Sequence, residues 1–195
     1  GDGTFFVSYE EMIALANETG DDIWLPVPAL ADDDYLRRLA ALVRRDLDPG
    51  LKVYVEYSNE TWNYYFSAYN QVLAMAQGDP RVTATDPFQR VAQESALQAA
   101  RVARIFYDEF GADSDRVLPV FSGFTLRPDF LSTGLSAVAR VFGDPSKIFK
   151  ATAIAPYGNI AASLSSSTDL STLLASINSR IDVIANYMKQ NVQVA

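Results

Sequence analysis

The stretch Lys52-Val-Tyr-Val-Glu-Tyr-Ser-Asn-Glu-Thr-Trp-Asn63 (KVYVEYSNETWN) decides the predicted fold. Residues 52–58 alternate in polarity, and successive side chains of a β-strand point to opposite faces of the sheet. In a doubly wound sheet both faces of a strand are covered by helices and are usually apolar. One apolar and one polar face therefore favour a strand of a closed barrel. The apolar face carries Val53, Val55 and Tyr57, and the polar face carries Tyr54, Glu56, Ser58 and Glu60.

Strands and helices alternate along the rest of the chain. The predicted strands cover residues 23–28, 52–58, 117–121 and 149–155, and the predicted helices cover residues 10–17, 32–47, 87–110, 131–142 and 170–188. This alternation predicts an α/β fold with a parallel sheet. The sheet could be doubly wound, or it could be part of a (β/α)8 TIM barrel, which needs about 250 residues.

We expect residues 1–195 to form one domain, because the length fits a single domain. We interpret this domain as a partial TIM barrel of about four βα units that lacks strands 1–2 and 7–8. Residues 61–87 would then form an insertion loop after the second predicted strand.

The composition excludes several classes of site. The net charge is −8, and the chain contains no cysteine and no histidine. An acidic chain argues against a nucleic-acid surface, which needs clustered Lys and Arg, and against docking on an anionic membrane. The missing residues exclude disulfides, zinc–thiolate sites, Ser-His-Asp triads and His general bases within the chain. Acid–base chemistry would have to use Asp, Glu, Tyr or Lys.

Asn59-Glu60 at the end of a strand resembles the signature of clan A of the glycoside hydrolases. These (β/α)8 retaining enzymes are also called the 4/7 superfamily. The strings VYVEYSNETWN and ALANETGDDIWLPVP are similar to those of large bacterial proteins with this barrel. In that clan an Asn-Glu pair ends strand four. The resemblance implies that this chain carries strands three to six, with Glu60 as general acid/base and Asn59 as a ligand of the sugar 2-hydroxyl.

The dipeptide alone is a short motif. Asn17-Glu18-Thr19 repeats it at the end of a predicted helix, and Glu60 could instead be a surface residue at a strand terminus. The proposed chemistry is reasonable, because a glycosidic oxygen leaves poorly until a carboxylic acid protonates it. A neighbouring amide can also donate a hydrogen bond to the 2-hydroxyl, and this contact strengthens in the transition state.

Two more residues take roles from the resemblance and from their position. The motif Ala155-Pro-Tyr157-Gly158 closes the predicted fourth strand, and in this clan strand six often ends in an aromatic residue or His near the nucleophile. Tyr157 would then orient that nucleophile, or it is simply a tyrosine at a strand-to-loop turn. Trp62 is the candidate platform for a sugar ring. The aromatic residues that follow it are expected mostly in the core of the inserted segment; they are Tyr64, Tyr65, Phe66 and Tyr69.

Other candidates are assigned from their place on the strands. Ser122 follows the predicted third strand and would line the substrate cleft, whereas Arg127 is expected on a surface loop. Glu56 is expected to be a buried structural partner of a cation outside this chain. Trp24, on the first predicted strand, is expected in the core.

A second carboxylate is missing from the expected site. A retaining mechanism needs two carboxylates about 5–5.5 Å apart, and in clan A the nucleophile ends strand seven. No Asp or Glu ends a second predicted strand here. We therefore expect a catalytically incomplete part of a polysaccharide hydrolase. The alternatives are a non-catalytic carbohydrate-binding or scaffold barrel and an unrelated α/β domain that binds a small molecule.

The expected partners follow from this interpretation. They are a carbohydrate substrate and either the remainder of the barrel or a second copy of the chain, without nucleic acid or membrane. No metal or organic cofactor is implied. A polysaccharide substrate lies outside the cell, so the longer protein would be extracellular or periplasmic.

Overall fold

The computed structural model describes residues 7–157 and 169–194. The helices are α1 Tyr9–Thr19, α2 Asp33–Asp46, α3 Ser67–Gly78, α4 Pro87–Phe110, α5 Pro128–Phe142 and α6 Leu170–Val194. The strands are β1 Ile23–Val27, β2 Val53–Tyr57, β3 Val117–Phe124 and β4 Ala151–Ala155. Each predicted strand and helix overlaps one of these elements, so the predicted α/β fold is confirmed.

The four strands form one parallel sheet in the order β1-β2-β3-β4. Doubly wound sheets contain a point at which the strand order reverses, and these four strands have no such point. Because crossovers between parallel strands are nearly always right-handed, an order without a reversal puts the connecting helices on one face. The burial of β2 agrees with the predicted alternation. Val53, Val55 and Tyr57 are buried, whereas Tyr54 and Glu56 are half-buried.

Residues at the helix ends explain why the helices begin and end where they do. Asp32 caps α2, and its carboxylate accepts a hydrogen bond from the backbone N–H of Tyr35. Asp86 caps α4 in the same way, with Pro87 at the first helical position. Gly20 ends α1 at a φ of 73°, a left-handed conformation that glycine adopts without strain. These ends agree with the sequence prediction.

Two segments differ from the prediction. Residues 61–87, expected to be an insertion loop, contain helix α3, which packs on α4 and buries Val72 and Ala76 completely. Helix α6 is present as predicted, but part of its apolar stripe is exposed, at Leu174, Ile181 and Met188.

The core beneath β3 fixes the position of the strand's carboxyl end. Phe121 of β3 stacks on Phe130 of α5 and on Phe149, with ring centroids 5.9 and 5.7 Å apart. A Cβ atom on Gly134 of α5 would come within 2.5 Å of the Phe121 ring. Glycine at this position therefore allows α5 to pack directly on β3.

Candidate functional site

The candidate site begins where β2 ends. Ser58 and Glu60 both have positive φ angles, 61° and 48°, a conformation that costs roughly 1–2 kcal/mol for a residue with a Cβ atom. The backbone N–H of Ser58 donates to the carbonyl of Val27 at 2.7 Å, which ties the turn to β1. Asn59, which lies between these two residues, is exposed, whereas Glu60 is buried. Backbone strain of this kind concentrates at functional sites.

The carboxyl group of Glu60 is held inside the protein. Glu60 is only 9% exposed, and its Oε2 accepts a hydrogen bond of 2.9 Å from Nδ2 of Asn63. Oδ1 of Asn63 accepts from the backbone N–H of Tyr65 at 3.1 Å. Asn63 therefore links the carboxyl group to the loop that carries Tyr65, and Glu60 is not an exposed residue at a strand terminus.

A small recess adjoins Glu60 between the ends of β2 and β3. Its volume is about 10 Å³, which is close to the space that one water molecule needs. The polar residues that line it are Glu56, Glu60, Thr61, Ser95 and Ser122. Oγ of Ser95, on α4, donates to Oγ1 of Thr61 at 2.9 Å.

Ser122 lies within β3 and not after it, so the predicted boundary of this strand was wrong. Its Oγ is buried and has no hydrogen-bond partner among the residues that the structure describes. The hydroxyl group of Ser122 therefore faces the enclosed recess beside Glu60 and does not line an open cleft.

An open groove of about 450 Å³ lies next to the recess. Residues after β2, at the start of α4, at the end of β3 and after β4 contribute to it, so the groove lies at the carboxyl end of the sheet. Ligands of parallel α/β sheets usually bind at this end, and small-molecule sites usually have volumes of about 300–1,000 Å³. The lining residues are Trp62, Asn63, Tyr64, Tyr65, Phe88, Phe124, Leu126, Arg127 and Tyr157.

The predicted site residues divide between these two spaces. Glu60 and Ser122 line the recess, Tyr157 lines the groove, and Trp62 lines both. Asn59 lines neither space. Tyr157 is exposed, and its ring centroid lies 6.3 Å from that of Phe124. Gly158, which follows it in the quoted motif, lies outside the described residues.

The roles expected for the aromatic residues after Glu60 were partly wrong. Trp62 is 8% exposed and packs edge-on against Phe130, so little of its ring is free to stack on a sugar. Tyr64 and Tyr65, expected in the core, are 64% and 80% exposed. Tyr65 and Tyr69 are four residues apart, a spacing that would put them on one face of a helix. However, α3 begins only at Ser67, so Tyr65 lies in the preceding loop.

The half-exposed face of the sheet carries a second group of aromatic residues. Trp24 of β1 is exposed, not in the core as expected, and it stacks on Tyr54 of β2 with ring centroids 5.4 Å apart. Nε1 of Trp24 donates to Oε2 of Glu56 at 2.8 Å. Glu56 therefore has an indole partner within this chain.

Arg127 lies in an exposed loop before α5, as predicted, and it also lines the groove. Its guanidinium lies over the ring of Phe88, 3.8 Å from the centroid. Nε and Nη2 donate to the two carboxylate oxygens of Asp129 at 2.9 and 2.7 Å. The Arg127 guanidinium holds the pKa of Asp129 below its usual range.

A second buried carboxyl group lies outside the site. Glu94, in the middle of α4, is 1% exposed, and its Oε1 accepts a hydrogen bond of 2.8 Å from Nε2 of Gln98. Burial raises the pKa of Glu94, and the nearby carboxylate of Asp79 acts in the same direction. Asp79 itself is paired with Arg81. The sequence analysis did not single out Glu94, because a glutamate within an amphipathic helix is usually solvated.

Within residues 7–157 and 169–194, no group of three or more Asp or Glu side chains could hold a metal ion. The helices in these same ranges also include none with the length and apolar character needed to cross a membrane. The chain matches no protein-family model, and comparison with curated proteins and with solved structures found no match.

Proposed function

We propose that this chain is a carbohydrate-active α/β domain that binds a glycan in the aromatic groove. It would belong to a retaining glycoside hydrolase of the clan A type, with Glu60 as general acid/base. The observation that carries the proposal is the placement of a buried carboxyl group directly beside an aromatic groove at the carboxyl end of a parallel sheet.

The groove supports the binding half of the proposal. Aromatic faces stack on the apolar C–H face of a sugar ring, and Tyr64 and Tyr65 expose most of their surface. Their hydroxyl groups lie 3.2 Å apart and add polar contacts for sugar hydroxyls. Tyr157, across the groove, would contact the sugar or hold the nucleophile carboxylate.

The surroundings of Glu60 support the catalytic half. A general acid must be fixed in position and shielded from bulk water before it can protonate a leaving group efficiently. Glu60 is buried, bonded to Asn63 and next to the groove through Trp62. The resemblance assigns the 2-hydroxyl of the sugar to Asn59, which is exposed and lines neither the recess nor the groove.

The sheet is compatible with part of a TIM barrel. Four parallel strands in sequential order, with one face covered and the other half-exposed, are expected for four consecutive βα units of such a barrel. The remaining strands and the nucleophile would come from the rest of the protein or from a second copy. We also propose that the protein acts outside the cell or in the periplasm, where a polysaccharide substrate is found.

A non-catalytic carbohydrate-binding barrel is the second candidate. One observation favours it: among the described residues, Glu60 is the only carboxylate within three residues after the end of a strand. Glu56 also lines the recess, but it lies within β2 and is bonded to Trp24.

Calorimetric titration of the 195-residue chain with a panel of oligosaccharides tests the binding half. We expect binding to at least one neutral glycan, weakened roughly tenfold by Tyr65→Ala, because one stacking contact is worth about 1 kcal/mol. Tyr35→Ala is the matched control, since Tyr35 is an exposed tyrosine on α2 away from the groove. Equal losses in both variants, or no binding to any glycan, would count against the groove as a glycan site.

A further inference from the structure

Among the described residues that line the groove, Arg127 is the only charged one. A free guanidinium in a sugar-binding groove would favour sugars that carry a carboxylate, because the planar guanidinium binds carboxylates with two parallel hydrogen bonds. The state of Arg127 therefore decides which class of glycan the groove accepts.

Arg127 is not free. Two of its nitrogen atoms already bind both carboxylate oxygens of Asp129, and its flat face covers the ring of Phe88. Asp86, the cap of α4, lies close enough to interact electrostatically with the same guanidinium. The positive charge of Arg127 thus faces the negative charges of Asp86 and Asp129. A glycan carboxylate would have to compete with Asp129 for the N–H groups of the Arg127 guanidinium.

We propose that Asp129 is a specificity-determining residue that makes the groove select uncharged glycans and reject acidic ones. This inference rests on the proposed glycan-binding function. Asp129 acts through Arg127 and has no role in the acid–base chemistry of Glu60. The Arg127–Asp129 pair is about half exposed, and such pairs contribute little to stability, so Asp129 can be replaced without unfolding the chain.

The test measures Kd by calorimetry for neutral hexamers of β-1,4-glucan and β-1,4-mannan, and for the same hexamers oxidised to carboxylates at C6. The neutral-to-acidic selectivity is the ratio of the acidic Kd to the neutral Kd. Wild type should bind a neutral hexamer more tightly than its acidic form. Asp129→Asn should lower the selectivity about tenfold, since it frees a guanidinium to make charge-assisted hydrogen bonds. This change should shrink at high salt.

Two further variants separate the effect of charge at the groove from other causes. Asp46→Asn is the matched control, because Asp46 forms the same two-point pair with the neighbouring Arg45 outside the groove; its selectivity should equal that of wild type. Arg127→Gln added to Asp129→Asn should restore the wild-type selectivity.

Each outcome decides a specific claim. If Asp129→Asn has the same selectivity as Asp46→Asn, or if wild type already prefers the acidic hexamer, Asp129 does not determine specificity and the groove remains a glycan site. If no hexamer binds wild type or any variant, this inference fails, and the oligosaccharide panel then decides whether the proposed function fails with it.

Discussion

Two glutamates are buried among the residues that the structure describes, Glu60 and Glu94, and they differ in what surrounds them. Glu60 follows a strand, itself has a strained backbone with a φ of 48°, and lines the recess next to the groove. Glu94 lies inside helix α4, faces Gln98 and Asp79, and lines neither of those spaces. Burial alone therefore does not mark a functional carboxyl group. Its position at the carboxyl end of a parallel sheet, next to a space for a ligand, separates one residue from the other.

The largest difference should be seen in catalysis. In the complete barrel that we propose, Glu60→Gln should lower the rate of glycan hydrolysis about 10²–10⁴-fold, because an amide cannot donate the proton that the leaving group needs. Glu94→Gln should leave the rate within about twofold of wild type. Rates on the glycan panel measure both variants. If Glu60→Gln cleaves a substrate as fast as wild type does, Glu60 is not the acid/base.

Stability as a function of pH provides a test of Glu94, the buried carboxyl group outside the site. Because the pKa of Glu94 is raised in the folded state, the folded chain holds this proton more strongly than the unfolded chain does. Its contribution to stability is therefore present at low pH and is lost as the pH rises through the folded-state value. The groups that face Glu94 are Asp79, Arg81, Gln98 and Tyr57.

Glu94→Gln should therefore become more stable relative to wild type as the pH rises from about 4 to about 8. Urea unfolding of both proteins at several pH values measures this difference. The control is Glu10→Gln, at an exposed position of α1, whose stability relative to wild type should change little over the same range. A Glu94→Gln difference that is constant with pH would contradict the assignment of a raised pKa.

The hydroxyl groups of Ser95 and Ser122 line the recess beside Glu60, and their removal should have a smaller effect, on the free energy of unfolding. Ser95→Ala should cost about 1 kcal/mol in the free energy of unfolding, because it leaves the buried Thr61 without its hydrogen bond. Ser122→Ala should be neutral or slightly stabilising, because its hydroxyl has no partner among the described residues. Urea unfolding of the two variants compares them directly. A larger loss for Ser122→Ala would indicate that an ordered water in the recess binds its hydroxyl.

Local patterns in the sequence predicted most of the fold. The two-residue alternation of β2 identified its buried face, and the predicted helix 87–110 has the same bounds as α4. The end of β3 was missed because Ser122 and Gly123 are weak strand formers. They remain in the strand through backbone pairing with β4, opposite Ala153 and Ile154, and local sequence does not reveal such pairing.

The candidate site was less predictable, because it depends on contacts between distant segments. The position of Glu60 at a strand end could be inferred locally. The groove combines Tyr65, Phe88 and Arg127 from three separate segments, and their proximity depends on how α4 and α5 pack on the sheet. One signal was available: consecutive aromatic residues at positions 64–66 do not follow a helical period, which favours an exposed loop over a buried helix face.

The smallest effect should come from the backbone that positions Glu60. Ser58→Gly removes a Cβ atom at a φ of 61°, which should raise the free energy of unfolding by about 0.5 kcal/mol after the loss of the buried side chain and the added chain entropy. If the strained turn also fixes the direction of the Glu60 carboxyl group, the same variant should hydrolyse glycans more slowly in the complete barrel while it unfolds less readily.

The control for a general change of chain entropy is Gly50→Ala, on an exposed turn with open space for the added Cβ atom. This variant should leave hydrolysis unchanged. A Ser58→Gly variant with wild-type hydrolysis would show that Asn63, rather than the strained turn, is sufficient to orient Glu60.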